Sequence, residues 1–226
     1  MSGRLFTWLR RRYLRTWGII SLITTLLVIV FVVGAVTCRP SWYVPATVDP
    51  VRLKADKQEL VTLVDGIGDA LNAGQPFRCE LDEAQFNRWL AARDEIWPVV
   101  GVEFEIEGAS FPQVQFLDGD CVRIGATSTR SPLSVVVSLT LRLEVTEENL
   151  LLHMEAVRAG SLPIPRSLVA RALQTQEGAL DMMDGTTIRL PNDAVWPNGE
   201  RRFRIDSLEI SAGRASFVLT PLGYGP

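Results

Sequence analysis

Between residues 135 and 145, Val135, Val137, Leu139, Leu141, Leu143 and Val145 fall on one side of the chain, and Ser138, Thr140, Arg142 and Glu144 on the other. A period of two held over eleven residues is the pattern of a strand with one buried and one wet face. Glu147, Glu148 and Asn149 then supply a turn, and Leu150, Leu152 and Met154 continue the apolar side on the way back. Strands buried on both faces would not alternate, so this pair reads as antiparallel. The same period recurs in Val102, Phe104 and Ile106 against Glu103, Glu105 and Glu107, and in Val114 and Phe116 against Gln113 and Gln115. Asp118, Gly119 and Asp120 form a hairpin signal before Val122 and Ile124, which flank Arg123. Two last strands carry Phe203 and Ile205, then Ala215, Phe217 and Leu219. The alternation slips between Ile205 and Leu208, which predicts a bulge.

Elsewhere the period is that of a helix. Leu60, Leu63, Val64, Ile67 and Leu71 share one stripe, with Asp56 and Glu59 as a capping box and Gly74 as the stop. A second helix opens at Asp82 with Gln85 and presents Phe86, Trp89 and Leu90. A third follows the stiff connector Gly160 to Arg166 and carries Leu168, Val169, Ala172 and Leu173, with Pro165 near its first turn. Gly66 and Gly68 lack the third glycine and the preceding strand of a nucleotide loop and read as close helix packing. The expected fold is α+β: a strongly curved antiparallel sheet of seven or eight strands packed on about three amphipathic helices.

Ahead of that domain, Gly18 to Val36 contain no charged residue, a length that as a helix spans roughly 28 Å. Trp8, Tyr13 and Trp17 precede the run, and Trp42 and Tyr43 follow it, as interfacial aromatics do. Residues 18–36 are therefore expected to form an N-terminal transmembrane helix, with 37–53 as a juxtamembrane linker rich in proline. Arg4, Arg10, Arg11, Arg12 and Arg15 place residues 1–17 in the cytoplasm and residues 54–226 outside a bacterial cytoplasmic membrane. The competing readings are a cleaved signal peptide and a lipoprotein signal ending at Cys38. Those five arginines belong to a total of 23 basic residues, which leaves 18 against 26 acidic ones for the rest of the chain. A domain of that sign is a poor partner for nucleic acid, whose binding depends on neutralising phosphates.

The chain carries little that points to catalysis. His153 is the single histidine, no Gly-x-Ser-x-Gly turn occurs, and no phosphate-binding Gly-Lys-Ser/Thr sequence is present. No Cys-x-x-Cys spacing exists, so a zinc site lacks ligands, and no cofactor is implied. Glu103, Glu105 and Glu107 read as a solvated strand face, and Asp181 and Asp184 as loop punctuation. Of the three cysteines, Cys79 and Cys121 fall in the exported domain, where they form either one disulfide or two buried thiols.

The order of these parts resembles the YpmS-like family of single-span bacterial membrane proteins, related to tubular lipid-binding (TULIP-like) domains. The resemblance rests on the anchor, on Leu81 to Leu90 "LDEAQFNRWL", which sets an asparagine in a helix after a short strand, and on "LLLHMEAVRAGSLPIPRSLVARAL". The tail beyond Met183 departs from the family's compact pattern. The resemblance implies an apolar interior that takes lipid acyl chains, and no catalytic residue. From the count of apolar faces, Phe86, Trp89, Leu139, Leu141, Leu152 and Ile164 are the expected lipid-lining residues. The expected function is non-enzymatic: binding or shielding membrane lipid or another apolar envelope molecule. The alternative is an envelope scaffold with a fully packed core that docks a protein partner.

Overall fold

The computed structural model describes residues 21–100, 108–130, 133–174, 183–196 and 201–224. A helix α1 covers residues 21–37. After it come α2 (Leu53–Asn72), β1 (Phe77–Asp82), α3 (Glu83–Ala91), α4 (Arg93–Ile96) and one 3₁₀ turn (Trp97–Val100). The hairpin β2 (Ala109–Leu117) and β3 (Cys121–Ser128) leads to β4 (Val135–Val145), β5 (Asn149–Ala159), β6 (Leu162–Ile164) and α5 (Arg166–Gln174). Short strands β7 (Met183–Asp184), β8 (Thr187–Pro191) and β9 (Ala194–Val195) precede the long hairpin β10 (Arg201–Ser211) and β11 (Arg214–Tyr224).

These strands do not make one strongly curved sheet. They divide into a four-stranded sheet, in the order β1-β11-β10-β9, and a seven-stranded sheet, β2-β3-β4-β5-β8-β7 with β6 as a seventh strand on β5, and the sheet is not strongly curled. Strand β5 serves two partners along one edge, β8 over Asn149 to His153 and β6 over Val157 to Ala159. The α+β class and the antiparallel meander hold; the single curved sheet is replaced because the β10–β11 hairpin pairs with β1 rather than with the meander. Register shifts interrupt the ladders at Ser110/Gln113, at Thr140/Leu141, at Arg202/Phe203 and, as the slipped alternation predicts, at Ile205/Ser207.

The two sheets are joined through hairpin tips. The Asp120 carboxylate accepts from the Ile210 amide at 2.8 Å, the Asp118 carboxylate from the Ala212 amide at 3.0 Å, and the Gly213 amide donates to the Phe116 carbonyl at 3.2 Å. Under this seam Leu90, Val114, Phe116, Ile210 and Ala215 form one buried cluster. The hairpin signal at 118–120 thus also serves as a clamp.

Helix α3 closes the exposed edge of the seven-stranded sheet. Its N-terminus is capped as expected, the Asp82 carboxylate accepting from the amides of Ala84 and Gln85. One turn on, the buried Asn87 side chain takes both backbone groups of Val114: its amide nitrogen donates to the Val114 carbonyl at 2.7 Å and its oxygen accepts from the Val114 amide at 2.7 Å. Four residues before it, the Glu83 carboxylate accepts from the Phe116 amide at 2.7 Å. Two side chains at i and i+4 therefore stand in for a neighbouring strand, satisfying edge groups that would be costly to leave unpaired.

Helix α2 begins three residues before the expected cap. Asp56 is inside it, buried, and its carboxylate pairs with the Arg88 guanidinium of α3 at 3.2 Å. Its C-terminus ends as predicted at Gly74: the Gly74 amide donates to Leu71 and the Gln75 amide to Ala70.

Three other expectations are revised or fall outside the description. Among the described residues no helix is long and apolar enough to cross a membrane. The expected transmembrane helix at 18–36 is therefore not found among them, and the described part of that segment is the helix over 21–37. The expected Cys79–Cys121 disulfide is absent, both being free thiols. Cys79 lies on β1 opposite Phe217 in the four-stranded sheet, whereas Cys121 opens β3 in the other. The strand expected around Val102, Phe104 and Ile106, with Glu103, Glu105 and Glu107, lies outside the described residues, as does Asp181.

Two measurements follow from this arrangement. Asn87→Ala strands a buried amide and a buried carbonyl and should cost about 2 to 4 kcal/mol in urea denaturation; a loss below about 1 kcal/mol would show that the edge needs no side-chain partner. Burial, with the Glu80 carboxylate adding, pushes the Cys79 thiol up to about 11. At pH 8 on the order of one thousandth of it is thiolate, so maleimide should label exposed Cys38 at once and Cys79 only on unfolding.

Candidate functional site

The segment after α1 does not hang free as a connector. The Ser161 amide and hydroxyl both donate to the Ala35 carbonyl, at 2.9 and 3.0 Å, at the end of α1. Gly160, at φ +59, brings the β5–β6 turn so close that a Cβ there would sit 2.3 Å from the Val36 carbonyl oxygen. Chain and sheet then run together through Tyr43.

Strand register explains the seat of this strap. Gln113 pairs with Gly125 and Gly125 with Ser138, while Thr127 pairs with Val136, so all five share one face of the sheet. The alternation assigns this face to water. Instead Ser138 is 4% exposed and Val136 is buried, because Trp42 and Tyr43 lie across it. Gly125 leaves the slot: a Cβ there would come within 2.5 Å of the Trp42 ring, over which the Arg123 guanidinium sits 5.4 Å from the centroid. The Gln113 amide donates to the Trp42 carbonyl at 3.1 Å. Tyr43, 2% exposed, donates its hydroxyl to the Phe111 carbonyl at 2.6 Å and accepts from the Thr127 hydroxyl at 3.0 Å.

Where the strap leaves the sheet, a cleft of about 550 Å3 opens beside the last residue of α1. Thr37, Arg39, Tyr43, Val48, Arg93, Phe111 and Val136 line it among others. Arg39 donates through Nε to the Tyr43 carbonyl at 2.9 Å and stacks 5.3 Å from the Tyr43 ring centroid. Arg93 reaches the Leu90 carbonyl at 3.4 Å and Asp94 at 3.6 Å. Phe111 is 64% exposed and holds φ +51, a conformation that costs a bulky residue roughly 1–3 kcal/mol. The Tyr43 bond to its carbonyl and the bulge beside it keep it there.

The six expected lining residues are not brought together. Trp89 is buried with Leu60, Ala92 and Ile96 under α2, and Phe86 packs there and against Phe116. Leu139, Leu141, Leu152 and Ile164 meet Met154, Val157 and Val169 under α5. None of the six lines the cleft. On the α5 face the cover stops short: Ile124, opposite Leu139, and Val137, 41% exposed, stay open to solvent.

His153 is held between the Thr187 hydroxyl at 3.0 Å from Nδ1 and the Glu144 carboxylate at 3.1 Å from Nε2, across β8, β5 and β4. The three lie on an open sheet face, and His153 is not among the residues lining the clefts described. Among the described residues no group of three metal-ligating side chains converges.

Sequence reasoning missed the strap and the two arginines. The available signal was Gly125, an isolated glycine in a strand pattern, which marks close approach of another segment. Comparison with known proteins finds no matching family model, no matching curated protein and no matching solved structure.

Gly125→Ala should lift the strap, because the new Cβ meets the Trp42 ring. Chymotrypsin should then cut after Tyr43 about tenfold faster than in the parent while the β-sheet circular dichroism is kept. Unchanged cleavage would mean that Trp42 shifts without releasing its neighbour.

Proposed function

We propose that this protein is a non-enzymatic, membrane-associated domain that binds or shields lipid or another apolar envelope molecule. The observation that carries the reading is α1. Leu22, Leu26, Val28, Ile29, Val30 and Phe31 are all more than half exposed, Phe31 at 72%, and at about 100° per residue they lie around the helix rather than on one stripe. A helix apolar all round needs an apolar surrounding. In water each Å2 of that surface costs about 25 cal/mol, so lipid is the environment that fits it.

Two further features support the reading. Ser161 ties the end of α1 to the sheet, which sets the cleft with Phe111, Arg39 and Arg93 beside the apolar helix. The uncovered Ile124 and Val137 give the sheet a second apolar surface next to Leu139. The resemblance to tubular lipid-binding domains points the same way, with the ligand moved from the interior to these surfaces. A protein-docking scaffold is the second reading, favoured by the packing of Phe86, Trp89, Leu141 and Leu152 against protein neighbours.

Flotation of the full chain with phosphatidylcholine vesicles tests the proposal. The parent should float with the vesicles, and the double variant Leu26→Asp, Val30→Asp should lose at least tenfold of that partition, since each acidic residue costs about 2.5–3.5 kcal/mol in hydrocarbon. A full-length parent that stays monomeric and lipid-free in detergent-free buffer would overturn it.

A further inference from the structure

We infer that the cleft at the foot of α1 is a subsite for the phosphodiester of an anionic phospholipid headgroup, an inference that rests on the lipid reading above and specifies its chemistry. The argument begins with charge. Beyond residue 17 the chain carries 18 basic and 26 acidic residues, and the other clefts described reflect that balance. One is lined by Glu80, Asp82 and Glu209 against Arg214, a second by Asp120, Glu144 and Asp206 against Arg142, a third by Glu59 alone. The cleft beside α1 has two arginines, Arg39 and Arg93, and no carboxylate in its lining. A positive cleft on an acidic domain selects an anion.

The arginines are also oriented in advance. Backbone carbonyls hold each, Arg39 by Tyr43 at 2.9 Å and Arg93 by Leu90 at 3.4 Å, so little rotamer freedom is lost on meeting a ligand; the Asp94 carboxylate, 3.6 Å from Arg93 Nε, is exposed and lies outside the lining. A planar guanidinium presents paired donors that match phosphate oxygens. Position then decides the source of the phosphate. Thr37, the last residue of α1, lines the same cleft, which places the arginines where the apolar helix surface ends. That is the level of headgroups when the helix sits in lipid, and Phe111 and Val48 supply apolar contact for the first methylenes.

The full chain is reconstituted in nanodiscs of equal phosphatidylglycerol and phosphatidylcholine, released gently, and weighed with its retained lipid by native mass spectrometry. Phosphatidylglycerol should be retained about tenfold over phosphatidylcholine. Arg93→Gln should remove most of that preference, about tenfold, and Arg39→Gln should do the same, with melting curves showing that each variant is folded. Arg142→Gln, which breaks a surface pair with Glu155 outside the cleft, should leave the preference unchanged. Equal retention of the two lipids, or a preference that survives Arg93→Gln, would overturn the headgroup site while leaving lipid binding intact. Retention of no lipid at all would sink the lipid reading itself. Excess inorganic phosphate should not displace the retained phosphatidylglycerol; displacement would assign the cleft to a free anion and overturn the lipid source.

Discussion

One side-chain amide settles how the layers of this protein meet. Asn87 binds both backbone groups of Val114, and a sheet edge offers only a few places where an amide can do so at 2.7 Å in both directions. The position of α3 along β2 is thereby set to within a fraction of a residue. Trp89 and Leu90 follow on the same short helix and must then face α2 and the seam between the sheets. Polar pairing specifies the register here, and apolar burial supplies the stabilisation around it.

The hairpin tips complete that joint. Asp118 and Asp120 bind amides at the β10–β11 turn, so the chain's last hairpin is tied to its first long one across some ninety residues. Pairing of this range is slow to form because the loop must close first. The local parts, α2 with its glycine stop and the β4–β5 hairpin, are available earlier as templates.

Much of this was legible in the residues. The alternation of β4 and β5, the Asp82 cap, the Gly74 stop and the slip after Ile205 all depend on neighbours close in sequence, and each appears in the structure. What sequence could not display is pairing decided at long range. Phe217 and Ala215 take β1 as a partner, which splits the expected single sheet. Val136 and Ser138 look like wet-face residues until Trp42, more than ninety positions away, lies on them. The candidate site was missed for the same reason, since Arg39, Arg93 and Phe111 come from three segments with no common motif.

The two hydrogen bonds from Ser161 to the Ala35 carbonyl have a mechanical meaning. A single bond is a swivel; two from one residue, with Gly160 pressed against Val36, make a fixed bracket. A force that tips α1 therefore reaches β5 and β6 directly through these bonds, without passing along the more than one hundred residues that separate Ala35 from Ser161 in sequence.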